Sequence, residues 1–489
     1  MSQDKIINEV LDELEKNGHK LSRREAMKLI AISPLAAGVL SNAAAPVSAQ
    51  AASSATGSIV IVGGGLSGVA TAAKLCKRLR NPDITVIEPN PISVSYQAGQ
   101  TLIAAGVYKK EDIIYQTSDF MPKEVNWIQK AAKNFDPENN KVILEDGTEV
   151  GYDYLVVAMG VTLNYGAIKG LEGEITTLGN CDEVRKKVGK NGVYSLYFAE
   201  GSVDTYDGIQ EIIKKAKNLK GNEKLQLIFT DSPTAVKCGG APKKVMYIAN
   251  DLIKKAGVRD KVEILFYTNS DKLFGVPEYA KAIEEQFGKR DFKWEFKTRL
   301  VAVDTQNQVA TFEKTWVEKG EWDKDLEEYE MITKKETFEK KFDFLHVVPP
   351  QKAPDAVGKS PLGSPASWVP ANKETLQHTA YPNVFAIGDC AAVPLGKTGG
   401  SSRKQYHVLV DNLIAVMEKK DKLPAKYDGY TVCPFITSIG TVMFAEFDWS
   451  GKPAPSFPLD PTKERWSMWL LKVYMMKPII FHGMLPGRI

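Results

Sequence analysis

The chain has few cysteines and histidines for its length, and beyond residue 57 it has no long apolar run. Five cysteines among 489 residues are too few for a disulfide scaffold, although two or three of them could still carry redox chemistry. Five histidines without ligand spacing argue against a metal site. No uninterrupted apolar stretch is long enough to cross a bilayer, so no spanning helix is predicted. The net charge of +3 does not indicate nucleic-acid binding.

Residues 1–57 have the order of a twin-arginine-type export signal followed by a linker. Arg23 and Arg24 precede the apolar run LIAISPLAAGVL and an alanine-rich tail, with cleavage expected after Ala49. An amphipathic N-terminal helix that contains two arginines is the alternative interpretation. The signal predicts export of a folded protein to the periplasm, where thiols can remain oxidised.

The segment VIVGGGLSGVA (60–70) predicts a dinucleotide-binding turn. It follows a β-branched strand, opens a helix, and precedes the second strand ITVIEP, which ends near Glu88. Glycines in such a turn let a pyrophosphate approach the positive end of the helix, and the acid can accept hydrogen bonds from a ribose. A tight loop without a ligand is the alternative. The expected contacts are Gly63, Gly65, Leu66, Ser67, Gly68 and Glu88.

Two further strand ends favour FAD as the dinucleotide. YDYLVVAMG ends at Gly160, and NVFAIGDC places Asp389 after a late strand. The pairing resembles the two-dinucleotide-domain flavoprotein family, in which such an aspartate holds the ribityl chain. A helix N-cap is the alternative role for Asp389. Lys397 and the helix start beyond it could stabilise negative charge on a reduced flavin. Further expected cofactor contacts are Gln97, Ala132 and Thr398.

The second nicotinamide fingerprint, usual in such enzymes, is absent. The strand LQLIFT (225–230) leads into DSPTAVKCGGAP and a helix, so Cys238 stands where G-x-G-x-x-G would bind a nicotinamide. Hydride from a nicotinamide is therefore not the expected electron source. Lys237, Lys243 and Lys244 flank the thiol and should favour its thiolate.

The other cysteines differ in expected role. Cys433 lies before a proline that we expect to end its strand, and for it and for Cys238 a small buried hydrophobe is the alternative. Cys76 and Cys390 fit that alternative well. Cys181 stays open between a structural and a redox role.

Five segments resemble sulfide:quinone oxidoreductases, closest to the branch shared with mitochondrial enzymes. The resemblance extends from Ser58 to the C-terminus and is carried by VKCGGAPKKVMY, KETLQH, YPNVFAIGDC, YDGYTVCPFITSIGTVMFAEFDW and PTKERWSMWLLK. It implies that Cys238 and Cys433 form the redox pair, bridged by a disulfide or a sulfur chain beside FAD. Sulfide attacks the bridge and leaves a persulfide on one cysteine. Two electrons pass through FAD to a membrane quinone, and the product is polysulfide or persulfide sulfur.

Departures from related families refine this prediction. The segment NPISVSYQAGQ lacks the cysteine that attaches flavin in flavocytochrome c sulfide dehydrogenases, so FAD should be noncovalent. Cys181 resembles in position a third redox cysteine of another bacterial branch. The alternatives are an NADH:quinone oxidoreductase of the same fold and the flavin subunit of a flavocytochrome c sulfide dehydrogenase.

The C-terminal tail, 466–489, is rich in tryptophan, methionine, leucine and isoleucine. It suits a helix pair at a bilayer surface through which quinone enters, with a core or dimer helix as the alternative. Phe435, Ile436 and Phe444 are candidate quinone contacts. A small sulfur acceptor and a homo-oligomer are partners that the sequence leaves open.

These observations predict an α/β protein with two Rossmann-like domains. The FAD domain is discontinuous, 58–178 and 355–428. The second domain, 179–354, carries Cys238, and 429–489 forms the C-terminal redox-cysteine and membrane-interface segment. The charge-dense stretch 313–342 is predicted to be a solvated surface excursion.

Overall fold

The computed structural model describes residues 52–94, 96–179, 181–323, 327–456 and 458–489. The predicted signal with Arg23, Arg24 and Ala49 lies outside these residues. Two compact units are present. The first comprises the chain up to Leu102 together with Glu111–Thr162 and Lys352–Ile489, and the second comprises Ile103–Lys110 and Leu163–Gln351. Residues 429–489, predicted as a separate segment, fall within the first unit.

The strands of the described residues are, in chain order, β1 (Ser58–Val62), β2 (Asp83–Ile87), β3 (Ile92–Ser93), β4 (Tyr115–Gln116), β5 (Asn126–Ile128), β6 (Ala132–Asp136), β7 (Lys141–Leu144), β8 (Glu149–Gly151), β9 (Tyr154–Val157), β10 (Thr162–Asn164), β11 (Glu174–Ile175), β12 (Val193–Tyr194), β13 (Leu225–Thr230), β14 (Val262–Tyr267), β15 (Phe292–Glu295), β16 (Thr298–Asp304), β17 (Val309–Asp323), β18 (Glu328–Lys341), β19 (Phe344–His346), β20 (Gln351–Lys352), β21 (Val369–Pro370), β22 (Val384–Ala386), β23 (Ala391–Ala392), β24 (Thr431–Ser438) and β25 (Thr441–Phe447).

The α-helices of the same residues are α1 (Leu66–Arg78), α2 (Gln97–Ala104), α3 (Asp182–Arg185), α4 (Ala199–Asn218), α5 (Ala241–Lys255), α6 (Pro277–Lys289), α7 (Asp355–Gly358), α8 (Gly399–Met417), α9 (Trp466–Leu470) and α10 (Met476–Pro478). Two π-helical segments, Leu471–Met475 and Ile479–Met484, extend α9 and α10.

The first unit is built on a five-stranded parallel sheet in the order β22-β9-β1-β2-β5. The central strand β1 buries Ile59, Val60, Ile61 and Val62, as expected for a strand covered on both faces. Alanines along α1 bury its inner side, and α8 packs against α1. The arrangement confirms the predicted strand–turn–helix–strand order at residues 58–88.

The second unit contains another five-stranded parallel sheet, in the order β12-β19-β13-β14-β15. Helices α4 and α5 pack on it. Strands β17 and β18 form a long antiparallel ribbon. Most residues of β18 are exposed. The predicted surface excursion at 313–342 is therefore exposed, but it is a regular hairpin. Together the two sheets confirm the predicted α/β class with two Rossmann-like folds.

The C-terminal part of the first unit differs from the sequence prediction in two respects. Strand β24 does not end at Pro434 but continues through it to Ser438, paired only with β25 among the described strands. Proline is tolerated there because the missing N–H lies on a strand with one neighbour. The tail forms one uninterrupted helical run from Trp466 to Met484, not a separated helix pair. Most of its apolar side chains are buried, whereas Trp466 is 52% exposed.

Among the described residues, no helix is both long enough and apolar enough to cross a membrane.

Candidate functional site

The turn between β1 and α1, residues 63–68, is called the glycine turn. Gly63 has φ +108°, and a Cβ added there would lie 2.3 Å from the carbonyl oxygen of Ala158. A Cβ on Gly68 would lie 1.8 Å from the carbonyl oxygen of Gly63. Both positions therefore need glycine for close backbone approach. Gly65, by contrast, faces open space, with no atom within 4 Å of an added Cβ.

Glu88 fixes the shape of the glycine turn. Its carboxylate accepts hydrogen bonds from the backbone N–H of Gly64 at 2.7 Å and of Asn90 at 2.9 Å. The Asn90 side-chain amide donates a further bond at 2.7 Å. A carboxylate offers about four acceptor positions, so these donors leave room for one more. Glu88 therefore holds the turn in addition to its predicted contact with a ribose.

The carboxyl end of β22 carries the second group of predicted cofactor residues. Asp389 lies in a single 3₁₀ turn, Gly388–Cys390, and does not cap a helix. The cap of α8 is Thr398, whose Oγ1 accepts from the backbone N–H of Ser401 at 3.2 Å. The N-cap alternative for Asp389 is therefore wrong.

Lys397 is held close to Asp389. Its ammonium donates to the backbone carbonyls of Asp389 and Ala391 and lies 3.8 Å from the ring centroid of Trp368. Burial lowers the pKa of Lys397 to about 8, against the opposing effect of the Asp389 carboxylate. A half-buried cation held by neutral carbonyls can still compensate an added negative charge.

These residues fit a dinucleotide. The start of α1 has no side-chain cap and no acid in its first turn, so its positive end can receive a pyrophosphate. Gly160, at φ +67°, also faces open space at the end of β9, next to β1 in the sheet. Gly65 and Gly160 thus leave a cradle at the carboxyl edge of the sheet that any side chain would fill.

The structure gives less support for four other predicted cofactor contacts. Leu66 and Ser67 open α1, and Ser67 Oγ donates to Ser402 Oγ at 3.0 Å. Ala132 begins β6 and is half-buried. Gln97 begins α2, and its side chain lies outside the described part of the chain. The roles of these four residues stay predictions.

Cys238 lies in the turn between β13 and α5, residues 231–240, called the cysteine turn. Its backbone has φ +51°, which is rare for a residue with a side chain. Lys244, one turn into α5, donates from Nζ to Cys238 Sγ at 3.2 Å. Strained backbone conformations of this kind concentrate at functional sites.

The three lysines around the cysteine turn are buried, each no more than 3% exposed. Lys243 pairs with Asp231 at 3.3 Å, and Lys237 donates to Thr177 Oγ1 and the carbonyl of Tyr197, both at 3.2 Å. A buried ammonium costs free energy unless negative charge or strong acceptors compensate it. The sulfur of Cys238 is an acceptor that can itself become an anion. Burial of these lysines was not expected, because lysine is among the least buried residue types.

Cys433 lies in β24 opposite Ala445 of β25 and is 4% exposed. Of the candidate quinone contacts, Phe435 and Ile436 are fully buried. Phe444 lines a shallow surface pocket of roughly 20 Å³ with Glu446, Leu459, Arg465 and Met468 among others. Glu446 was missed by the sequence analysis. Its buried carboxylate accepts from Tyr430 Oη and from both the N–H and the hydroxyl of Ser456.

Cys76, Cys181 and Cys390 are free thiols in this structure. Burial raises the pKa of Cys76 and of Cys390 to about 11, consistent with their predicted structural roles. Cys181 precedes the short helix α3 and is half-buried in the second unit. Cys238 and Cys433 belong to different units, so their pairing stays a prediction. Among the described residues no cluster of metal-ligating side chains is present.

Comparison with known proteins agrees with this geometry. Residues 57–194 match the pyridine nucleotide-disulphide oxidoreductase family. The chain is 34% identical to the mitochondrial sulfide:quinone oxidoreductase of Mus musculus, over 88% of this chain and 86% of that protein. It is 35% identical to the enzyme of the same name from Dictyostelium discoideum, with the same two coverages.

The fold is similar to the crystal structure of the sulfide:quinone oxidoreductase from Aquifex aeolicus. The TM-score is 0.64 at 20% identity, covering 85% of this chain and 89% of that one. These findings also confirm FAD as the cofactor expected of the family. The chain belongs to the sulfide:quinone oxidoreductase family.

Proposed function

We propose that this protein oxidises sulfide through Cys238 and Cys433 and delivers the electrons to a membrane quinone. The hydrogen bond from the buried Lys244 to Cys238 supports the proposal most directly. It places a positive charge against a thiol in the turn where related enzymes bind a nicotinamide. Such a charge stabilises an anionic sulfur.

The proposed reaction at the cysteine pair uses the two cysteine sulfurs, sulfide, a sulfur acceptor and a two-electron acceptor. Hydrosulfide attacks a Cys238–Cys433 disulfide, one S–S bond breaks, and another forms as a persulfide. The displaced cysteine leaves as a thiolate. Transfer of the outer sulfur to an acceptor and loss of two electrons restore the disulfide. Bound FAD would supply the two-electron acceptor for the pair and the electron donor for quinone.

Residues of this chain would perform distinct tasks in that cycle. The Lys244 ammonium would stabilise whichever anion, thiolate or persulfide, forms on Cys238. The Gly65 and Gly160 cradle, with Glu88 and Asp389, would hold FAD noncovalently. Lys397 would place a positive charge beside the cofactor.

The pocket beside β25 is our candidate for the quinone site. Phe444, Leu459 and Met468 offer an apolar lining, and Glu446 adds a buried carboxylate that could carry a proton to the reduced quinone. Trp466 and Leu459, exposed near this pocket, would face the bilayer interface. Phe435 and Ile436 would support the pocket from within the core.

For location, we propose a peripheral enzyme on the periplasmic face of the inner membrane. Arg23-Arg24 before an apolar run supports export, whereas the curated relatives named above are mitochondrial. Cell fractionation tests this part of the proposal, and a cytoplasmic protein with an uncleaved N-terminus contradicts it.

The activity itself is tested by anaerobic titration of the purified flavoprotein. Sulfide should bleach the flavin absorbance, and decylubiquinone should restore it. Bleaching by NADH but not by sulfide would instead establish the NADH:quinone alternative. Reduction by sulfide without reoxidation by quinone would indicate the flavocytochrome-like alternative.

A further inference from the structure

The ribbon formed by β17 and β18 extends beyond the sheet to which it belongs. Strand β16 pairs with β17 only from Val309 to Lys314, whereas β17 and β18 remain paired to Asp323 and Glu328. Within the described residues, β18 is the outermost strand of this sheet. Its outer edge therefore presents a row of backbone N–H and C=O groups that can pair with another strand.

The β18 sequence is complementary to itself in one antiparallel register. We propose that β18 pairs with β18 of a second copy of this chain, about a twofold axis that passes through Lys335. In this register Glu330 lies opposite Lys340, Ile332 opposite Phe338, and Lys334 opposite Glu336. Because the interface is isologous, each pair occurs twice.

The neighbouring registers are less favourable. Moving the axis to Lys334 places Ile332 opposite Glu336 and Glu330 opposite Phe338. Moving it to Glu336 places the two Glu336 side chains opposite each other and Lys334 opposite Phe338. Both alternative axes lose the Glu330–Lys340 and Lys334–Glu336 pairs, which in the register through Lys335 offset the contact between the two Lys335 side chains.

Contacts within one copy do not prevent the charged side chains of β18 from pairing with a second copy. Lys335, which would approach its own copy at the axis, has its ammonium 3.7 Å from Glu313 of the adjacent strand, and this ion pair reduces the repulsion. Among the described residues, Glu330, Lys334, Glu336 and Lys340 form no ion pair within their own chain. These side chains are exposed and available to a partner strand.

The charge of the ribbon tip favours a protein partner over a bilayer. Residues 317–331 carry seven acidic side chains and two lysines. Val317, Trp322, Tyr329 and Met331 are large exposed apolar residues of the same tip. An anionic membrane surface would repel such a tip, although its aromatic residues alone would suit one.

Sedimentation of the full-length holoprotein tests the proposal. The wild type should dimerise in a concentration-dependent manner. Glu330→Lys places lysine opposite Lys340 twice and should weaken dimerisation by roughly tenfold or more. The double variant Glu330→Lys/Lys340→Glu exchanges the charges and should restore it. A wild type that is monomeric at every concentration, or a dimer unaffected by Glu330→Lys, overturns the proposal.

Disulfide trapping tests the register. Lys335→Cys lies on the proposed axis and should form an intermolecular disulfide under mild oxidation. Thr337→Cys lies opposite Thr333 of the copy and should not cross-link with itself. The native cysteines are common to both variants, so the difference between them reports the register. Equal cross-linking of the two variants contradicts the axis at Lys335. Retained FAD content shows that each variant is folded.

Discussion

The glycine turn and the cysteine turn both connect a buried parallel strand to a helix, of 13 residues for α1 and 15 for α5. Neither helix has a side-chain cap or an acid in its first turn. In the glycine turn the lack of side chains matters most. Gly63 and Gly68 lie against backbone atoms, and Gly65 faces open space. The cysteine turn is shaped by side chains, with Cys238 held beside the buried Lys244.

The difference shows how one connection can serve two purposes. Close backbone approach and a free helix end suit a large anionic ligand that brings its own chemistry. A thiol at positive φ beside an ammonium suits chemistry performed by the protein itself. The two turns can therefore be altered separately, and each should lose a different function.

The largest effect is expected at the cysteines. Cys238→Ser or Cys433→Ser should abolish bleaching of the flavin by sulfide, because neither a disulfide nor a persulfide can form. Bound FAD should remain, since neither residue belongs to the glycine turn. Anaerobic absorbance spectra measure both quantities. Cys76→Ser is the matched control and should behave as the wild type. Wild-type reduction in either redox variant would exclude the mechanism.

A pair of glycine substitutions should separate the two turns. Gly68→Ala places a methyl group 1.8 Å from the Gly63 carbonyl oxygen, so most of the bound FAD should be lost. Gly239→Ala in the cysteine turn has Val236 Cγ1 as its nearest contact, at 3.8 Å, and should retain FAD and sulfide activity. Flavin content per polypeptide is the measurement. Equal FAD content in the two variants would contradict separate functions for the glycine turn and the cysteine turn.

A smaller effect is expected at Lys244. Lys244→Met removes a charge-assisted hydrogen bond worth about 1.5–3 kcal/mol, which corresponds to roughly a 10- to 100-fold slower reduction by sulfide. Lys244→Arg should recover part of the rate. Equal rates of sulfide reduction in Lys244→Met and the wild type would contradict a role of this ammonium in the reaction.

Sequence patterns predicted the fold well where the functional residues lie close together in the chain. The strand, glycine turn and acid at residues 58–88 follow from adjacent residues, and the structure contains them in that order. Burial of three lysines around Cys238 could not be read from the sequence, because it depends on the packing of α4, α5 and the second sheet. The pocket residue Glu446 was missed for a similar reason. Its three hydrogen-bond donors come from Tyr430 and Ser456, which lie 16 and 10 positions away.

One wrong prediction and one alternative that the structure excludes have local physical causes. Pro434 was expected to end a strand, but β24 has a single neighbour, and the missing N–H weakens no second ladder. Asp389 was considered as a helix cap, but Thr398 lies nine residues later, immediately before α8. In both cases the residue type was interpreted without knowledge of its neighbours in space.

The burial of Lys244 also limits how the cysteine turn could change during evolution or engineering. Replacing Cys238 with glycine would recover part of a nicotinamide fingerprint. It would also remove the sulfur that accepts the hydrogen bond from the Lys244 ammonium. A conversion to nicotinamide binding must therefore replace the lysine together with the cysteine. The two positions, six residues apart, are physically coupled, because a change at either one alone removes the hydrogen bond between them.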